Sequence, residues 1–143
     1  MRKFGRKIDN RTQMLKNLTT SVILYEKIKT TAPKAKETRS LVDRVITIAK
    51  KDTLSARREL LGFLLDENAV KKVYEVLIPR YKNRHSGYTR ILNLGNRVGD
   101  GAKKVLIELM DAKKEVKSSE SKENDKETSK KNKDVEVSVK SKK

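Results

Sequence analysis

The sequence predicts an α+β domain in which several helices pack on a small sheet of about three strands. Between residues 10 and 81, aliphatic residues recur every three or four positions, which is typical of amphipathic helices. Two later aliphatic runs, Tyr88–Leu94 and Lys103–Leu109, flank a loop that contains glycine and aspartate, which predicts a late β-hairpin. Because a sheet of two strands is marginally stable alone, a third strand is expected elsewhere in the chain.

The first helix is expected to begin near Asn10, which can cap it, with Gln13 completing a capping-box pattern. Its apolar face is formed by Leu15, Leu18, Val22 and Tyr25. The segment that follows, Tyr25–Thr31, contains β-branched residues and precedes Pro33, and both features favour an extended backbone. This segment is therefore the expected third strand.

The second helix is expected to open at Pro33, because proline is tolerated in a first turn. One face of this helix is apolar and carries Leu41, Val42, Val45, Ile48 and Ala49. The opposite face carries Lys36, Ser40, Asp43, Thr47 and Lys50, with Arg39 and Arg44 at its borders. Bases outnumber acids on this polar face, so the helix is expected to bury one side and to offer the other to an anionic partner.

Two more helices complete the predicted helical part. The third is expected to run from Asp52 or Thr53, either of which can cap it, to about Leu65. The apolar face of the fourth is formed by Val70, Val73, Leu77 and Tyr81. Pro79 is expected to end or kink this last helix, because proline removes a backbone donor and its ring crowds the preceding turn.

The chain carries 36 lysine and arginine residues against 19 acidic residues, a formal net charge of +17. A small domain needs a net charge of only about 2–8 for solubility, so the excess implies an anionic partner, either nucleic acid or a membrane surface. The membrane is disfavoured, because the apolar run Leu60–Leu65 is far shorter than the ~20 residues of a transmembrane helix and no apolar signal segment follows the charged start. The absence of cysteine excludes disulfides, zinc ribbons and thiol catalysis.

A change of composition after Ala112 divides the chain into a folded domain, residues 1–112, and a low-complexity tail, residues 113–143. The tail contains no leucine, isoleucine or aromatic residue, so it is predicted to be disordered. Its alternating stretch "DVEVSV" leaves open the alternative that it adds a strand to a partner. Residues 1–112 hold 25 basic and 12 acidic residues, so the folded part keeps most of the positive excess.

Basic residues are the candidate site residues, because contact with phosphates needs many cations spread over a surface. Residues 1–11 form a predicted basic arm that carries Arg2, Lys3, Arg6, Lys7 and Arg11. Further predicted contacts are Lys34, Lys36, Arg39, Arg84, Tyr88, Arg90 and Arg97. For Tyr88 two interpretations stand: its ring stacks on a base, or the residue simply begins the strand.

No pattern in the sequence indicates catalysis, a metal or a cofactor. The glycines at 95, 99 and 101 do not form a phosphate-binding loop, because Gly101 is followed by Ala102 and Lys103 rather than by Lys and Ser or Thr. His85 is interpreted as an exposed loop residue or an RNA contact. Two rival functions, a DNA-binding regulator and an RNA-processing enzyme, would require a recognition helix or a base with a nucleophile, and neither is evident.

Two stretches, "IKTTAPKAKETRSLVDRVITIAK" and "GYTRILNLGNRVGDGAKKVLIELMD", resemble the bacterial large-subunit ribosomal protein seventeen family. The resemblance covers about Met14 to Asp111. Its best motifs are the run Thr30–Arg39, the strand Gly87–Ile91, the loop Arg97–Asp100 and the segment Ile107–Leu109. Several motifs in the right order make this match far more specific than a single glycine pattern.

The resemblance implies a structural constituent of the large ribosomal subunit, in the cytoplasm, that supports ribosome assembly and translation. It implies large-subunit ribosomal RNA and neighbouring ribosomal proteins as partners, with no membrane, small-molecule substrate, cofactor or enzymatic activity. It also implies that the basic arm contacts RNA. The arm is a few residues shorter than is usual in the family, and Asn10-Arg11 stands where a His-Arg pair is common.

Overall fold

A computed structural model describes residues 2–111, so the predicted tail, residues 113–143, lies outside the described residues. The elements are, in order, α1 (Ile8–Tyr25), β1 (Lys27–Thr31), α2 (Ala32–Ala49), α3 (Leu54–Leu64), α4 (Glu67–Lys72), a π-helical turn (Val73–Leu77), α5 (Ile78–Arg80), β2 (Thr89–Asn96) and β3 (Lys103–Leu109). The helices pack on one antiparallel sheet, which confirms the predicted α+β class.

The sheet has three strands in the order β1-β3-β2, so the last strand of the chain lies in the middle. Ile28 of β1 and Ile91 of β2 both stand opposite Ile107 of β3. The segment before Pro33 is therefore the third strand, as predicted, although it begins at Lys27. The hairpin strand β2 begins one residue later than predicted and runs two residues further, through an irregularity at Asn93 to Gly95.

The core lies between the helices and one face of the sheet. Alternate residues of β3, Val105, Ile107 and Leu109, are buried against it. The helices contribute Val22, Ile23, Val42, Val45, Ile46, Ala49, Leu60, Leu64, Val73 and Leu77. Because aromatic residues are only 4% of the chain, this core is almost wholly aliphatic, and Tyr81 and Tyr88 are its large aromatic side chains.

The start of α1 differs from the prediction. The helix begins at Ile8, and the residue before it, Lys7, makes no side-chain cap hydrogen bond. Asn10 is therefore inside the helix, and the Gln13 amide donates to Asn17 Oδ1 at 3.0 Å instead of closing a capping box. Asp9 lies in the first turn, where a negative charge interacts favourably with the helix dipole. The predicted arm is consequently shorter, and its last cation, Arg11, belongs to α1.

The buried face of α1 also differs from the apolar pattern in the sequence. It is formed by Leu15, Thr19, Val22 and Ile23, while Tyr25 is 72% exposed. Thr19 escaped the prediction because it is polar, yet its hydroxyl donates to Leu15 O at 2.8 Å and so is satisfied inside the helix. Because these residues face the core, Tyr25, the last residue of the helix, faces solvent.

The boundaries of the next helices follow local rules. Thr53 caps α3, because its hydroxyl oxygen accepts from Ala56 N–H at 3.2 Å, and Asp66 caps α4 in the same manner. The π-helical turn precedes Pro79, and the helix ends at Arg80, as the prediction for this proline required.

No helix in the described part of the chain is both long and apolar enough to span a bilayer.

Candidate nucleic-acid interface

Some basic residues of the domain form an ion pair with a carboxylate, and others do not. Paired with a carboxylate are Arg44, Arg57, Lys72, Arg80, Arg84, Arg90 and Arg97. Among residues 2–111, no ion pair involves the predicted contacts Arg2, Lys3, Arg6, Lys7, Arg11, Lys34, Lys36 and Arg39. An unpaired cation keeps its full charge for an external anion, so the predicted contacts without an ion pair define the candidate interface.

A cleft of about 400 Å³ lies at the N-terminal end of α2, and we call it the α2 cleft. It is lined by Arg2, Thr31, Ala32, Pro33, Lys36, Ala102 and Lys103. The arm, the first turn of α2 and the start of β3 thus bring three cations to one concave site. The first turn of α2 contains no acidic residue, and the partial positive charge of the helix terminus adds to the cations.

The polar face of α2 continues the α2 cleft along the helix. Lys36 and Arg39 are exposed and lie three residues apart, so they project from the same side of the helix. Lys34 is half-buried. Thr31, the N-cap residue, makes no side-chain cap hydrogen bond, which leaves the N–H groups of Ala32 and Lys34 without that partner; Pro33 between them has no N–H. This end of α2 therefore combines side-chain cations with backbone donors.

On the outer face of the sheet, Lys27, Lys29 and Lys104, which the sequence interpretation did not include, join the predicted contact Arg90. Lys27 and Arg90 stand on either side of Glu108, and Thr31 stands opposite Lys104. Lys29, Leu106 and Leu92 form the row between them. Burial alternates along β1 and β3, so this face is turned away from the core. The alternating lysines of "KIKTT" were a usable signal, but only the strand register shows which neighbours they have.

Two predicted contacts before β2 have structural roles. The Tyr88 side chain is 1% exposed, and its ring packs on Tyr81 with the ring centroids 5.1 Å apart. Its hydroxyl lies within hydrogen-bonding distance of Arg84 O and His85 O, at 3.1 and 3.0 Å. A buried ring offers no face to a base, so the stacking interpretation of Tyr88 is corrected, and this residue belongs to the core. Arg84 donates to Gly87 O and to Asp111, each at 3.1 Å.

The remaining predicted contacts lie in the hairpin and are paired there. Arg97 Nε donates to Asp100 Oδ1 at 2.9 Å, and a second bond joins the same two groups. The hydrogen bond from Arg97, with a further one from the Ala102 N–H, lowers the pKa of Asp100 to about 2. The Arg97–Asp100 ion pair is therefore a structural contact within the hairpin loop. Arg90 is exposed and has a longer contact of 3.9 Å with Glu108, so it remains more available to an external anion.

The only histidine of the chain and the acidic residues among residues 2–111 are not clustered. His85 is exposed in the turn before β2. Within the described residues, no three side chains among histidine, aspartate and glutamate come together in a way that could hold a metal ion. What the site supplies instead is a broad set of unpaired cations on the arm, on α2 and on the outer face of the sheet, which is the arrangement that phosphate contact requires.

Comparison with known proteins identifies the family of the chain. The family model described as Ribosomal protein L17 matches residues 14–110. A protein named large ribosomal subunit protein bL17 from Thermoanaerobacter sp. strain X514 is 50% identical over 109 residues, which is 76% of this chain and 97% of that protein. Proteins of the same name from Clostridium acetobutylicum and Clostridium botulinum strain Hall are 50% and 48% identical over 109 residues, again 76% of this chain and 96% of each protein.

The matched region coincides with the described fold, from the middle of α1 to the end of β3. It confirms the resemblance that the motifs of the sequence indicated. The chain belongs to the ribosomal protein L17 family, whose members are structural proteins of the large ribosomal subunit rather than enzymes.

Proposed function

We propose that this protein is a structural constituent of the large ribosomal subunit that binds large-subunit ribosomal RNA. In this proposal the arm, the α2 cleft and the outer face of the sheet neutralise phosphates of folded RNA and hold neighbouring RNA helices together. The protein acts in the cytoplasm as part of the ribosome, beside other large-subunit proteins, and supports assembly and translation. Family membership supports a place in the large ribosomal subunit, and the distribution of charge supports the proposed RNA-contact surface.

The observation that carries the proposal is the convergence of unpaired cations on the α2 cleft. Arg2, Lys36 and Lys103 come from three separate elements and line one concave site. Keeping like charges close together without carboxylates costs free energy, unless an anion compensates them. A phosphate group in the α2 cleft would be held by the cations and by N–H groups at the start of α2.

Electrostatic binding of this kind has a measurable signature. Each phosphate that a protein cation neutralises releases a counterion, so the logarithm of the binding constant falls linearly with the logarithm of salt concentration. Specificity for folded RNA then comes from shape, because cations placed on a rigid domain match only some arrangements of phosphates. A passive, merely soluble surface would not produce a steep salt dependence.

The test is filter binding of the full chain to a transcript of the large-subunit ribosomal RNA at several salt concentrations. The double reversal Lys36→Glu with Arg39→Glu should lower affinity by at least about tenfold and reduce the salt slope by about two. Both side chains are exposed on α2, so circular dichroism should show unchanged helix content.

The matched control is Arg58→Glu with Lys71→Glu, which changes the net charge equally on exposed positions of α3 and α4. This control should lower affinity only slightly, through the general loss of charge. Equal losses in both double variants would contradict the proposed surface. Unfolding of the Lys36 and Arg39 variant would instead show that these residues have a structural role.

A further inference from the structure

The solvent face of α1 has an unusual composition for this chain. Asn10, Gln13, Asn17, Ser21 and Tyr25 follow one another at spacings of three and four residues and form one continuous row, which we call the amide stripe. It lies opposite the buried face of the helix. At a rise of about 1.5 Å per residue, the stripe is about 22 Å long.

The amide stripe carries no charge, although 38% of the residues in the chain are charged. From Thr12 to Tyr25 the only charged residue is Lys16, and its ammonium donates to Gly62 O at 3.2 Å and lies over the Phe63 ring. Lys16 is thus turned towards α3. Exposed helix faces are normally rich in charged residues. A neutral row of hydrogen-bonding groups therefore requires an explanation other than solubility.

Two neighbouring amide side chains of the stripe, Gln13 and Asn17, have groups free to form hydrogen bonds with a partner. Gln13 donates to Asn17 Oδ1 at 3.0 Å, and this contact restrains both side chains. Among the hydrogen bonds of the described residues, none uses the oxygen of the Gln13 amide or the nitrogen of the Asn17 amide. The pair thus presents the Gln13 amide oxygen as an acceptor next to the Asn17 amide nitrogen as a donor. Because both side chains are already restrained, they lose little conformational entropy on binding.

The amide stripe is continuous with the basic arm. Arg6 of the arm lines a cleft of about 450 Å³ together with Asn10, Gln13, Met14, Asn17, Leu18 and Ser21. An anion-binding segment therefore runs directly into a neutral segment that both donates and accepts hydrogen bonds. A protein partner would be expected to meet an exposed apolar cluster. The two apolar residues of this cleft, Met14 and Leu18, are half-buried, and among the described residues Tyr25 is the only large exposed hydrophobic side chain of the stripe.

We propose that the amide stripe is an RNA-recognition surface that reads 2′-hydroxyl groups and base edges, while the adjacent arm holds the phosphates. A 2′-hydroxyl both donates and accepts, which matches the free groups of the amide pair, and the shallow minor groove of an RNA helix displays these hydroxyls. Tyr25, exposed at the end of the stripe, stacks on an unpaired base. This inference rests on the proposed function, because it assumes that RNA is the partner.

The test uses a large-subunit ribosomal RNA transcript with scattered 2′-deoxy substitutions, and it compares the bound and free fractions by sequencing. The wild-type chain should select against deoxy substitution at a few discrete positions. The double variant Gln13→Ala with Asn17→Ala should bind about tenfold more weakly, lose selection at those positions, and keep an unchanged salt slope. Alanine has a higher helix propensity than either residue, so thermal unfolding should not occur at a lower temperature.

The matched control is Asn68→Ala, which removes an exposed amide from α4 and should change neither affinity nor selection. An unchanged affinity or an unchanged selection pattern in the Gln13 and Asn17 variant would overturn the inference and leave the proposed function intact. No selection by the wild-type chain would overturn it as well. Absence of any salt-dependent binding to the RNA would instead refute the proposed function, and this inference with it.

Discussion

The Glu26 carboxylate accepts two hydrogen bonds from the Arg80 guanidinium, at 3.0 and 3.2 Å, across 54 positions of sequence. Lys72 adds an ion pair of 3.0 Å to the same carboxylate and donates to Leu24 O at 2.7 Å. Glu26 itself has a left-handed backbone with φ of 59° at the end of α1, and its carbonyl accepts from Leu109 N–H. One residue thus joins α1, α4, α5 and β3, and so fixes the helices on the sheet from which the basic surface projects.

Acid should weaken this junction. Burial opposes ionisation of Glu26, but the hydrogen bonds and charges of Arg80 and Lys72 outweigh burial and lower its pKa below the usual value of 4.5. The unfolded chain therefore binds the proton more readily, so the stabilisation is complete above about pH 4.5 and is lost as the pH falls through the lowered pKa. The free energy of unfolding of wild-type protein should fall across this range.

The variant Glu26→Gln checks the same relationship. It should reduce the free energy of unfolding at neutral pH by about 2–3 kcal/mol, because two cations lose their carboxylate in a mostly buried position. Its stability should also depend less on pH below 4.5 than that of the wild type. Urea unfolding at several pH values measures both effects, and equal pH dependence in the two proteins would contradict the role of Glu26.

Two tyrosines with opposite environments provide a matched pair. Tyr88 is 1% exposed and Tyr25 is 72% exposed. Tyr88→Leu should lower the free energy of unfolding by about 2–4 kcal/mol through lost packing and should leave the RNA affinity of the folded protein unchanged. Tyr25→Leu should leave stability within about 0.5 kcal/mol and should weaken RNA binding several-fold through lost stacking.

The measurement for this pair combines thermal unfolding with RNA binding at a temperature at which circular dichroism shows both variants to be folded. A fall in RNA affinity for folded Tyr88→Leu would restore the stacking interpretation of Tyr88. Unchanged affinity for Tyr25→Leu would remove Tyr25 from the amide stripe.

Sequence periodicity predicted those parts of the fold that depend on neighbours along the chain. β3 was predicted with the bounds that the structure shows, Lys103–Leu109. A glycine-containing loop before this aliphatic run and a charged segment after it make both ends of the strand easy to recognise. α2 was predicted because Pro33 marks its first turn and its buried face is aliphatic except for Thr38. The start of α1 was missed because the helix begins at Ile8 without a side-chain cap. The exposure of Tyr25 was missed because a buried threonine, Thr19, does not show in an apolar pattern.

The candidate site was predictable in its charge but not in its geometry. A sequence does not show whether a lysine or arginine is paired with a carboxylate. The predicted contacts therefore included the paired Arg84 and Arg97 as well as the unpaired Lys36 and Arg39. Pairing depends on contacts between distant segments. For the same reason Lys29 and Lys104 were missed, because their common face arises only when β1 pairs with β3.

Releasing a paired cation should strengthen RNA binding. Asp100→Asn removes the charge that holds Arg97 in the hairpin loop, while the amide oxygen can still accept from Ala102 N–H. Affinity for RNA should rise and the salt slope should become steeper, because Arg97 is freed and a repelling charge disappears. The control Asp52→Asn removes an equal charge beside Arg57 of α3 and should have a smaller effect. Equal effects would mean that only net charge matters.

The full chain should sediment with the large ribosomal subunit when a cell lysate is separated on a sucrose gradient, and it should remain there after a high-salt wash. Many simultaneous phosphate contacts must all be broken for release, so the wild-type protein should resist salt that removes loosely bound basic proteins. The Lys36→Glu and Arg39→Glu variant should be released at a lower salt concentration than wild type, while the Arg58→Glu and Lys71→Glu control should remain bound. Wild-type protein at the top of the gradient, or stripped by moderate salt, would show that its charge serves a looser partner, and duplex DNA footprinting would then be the next measurement.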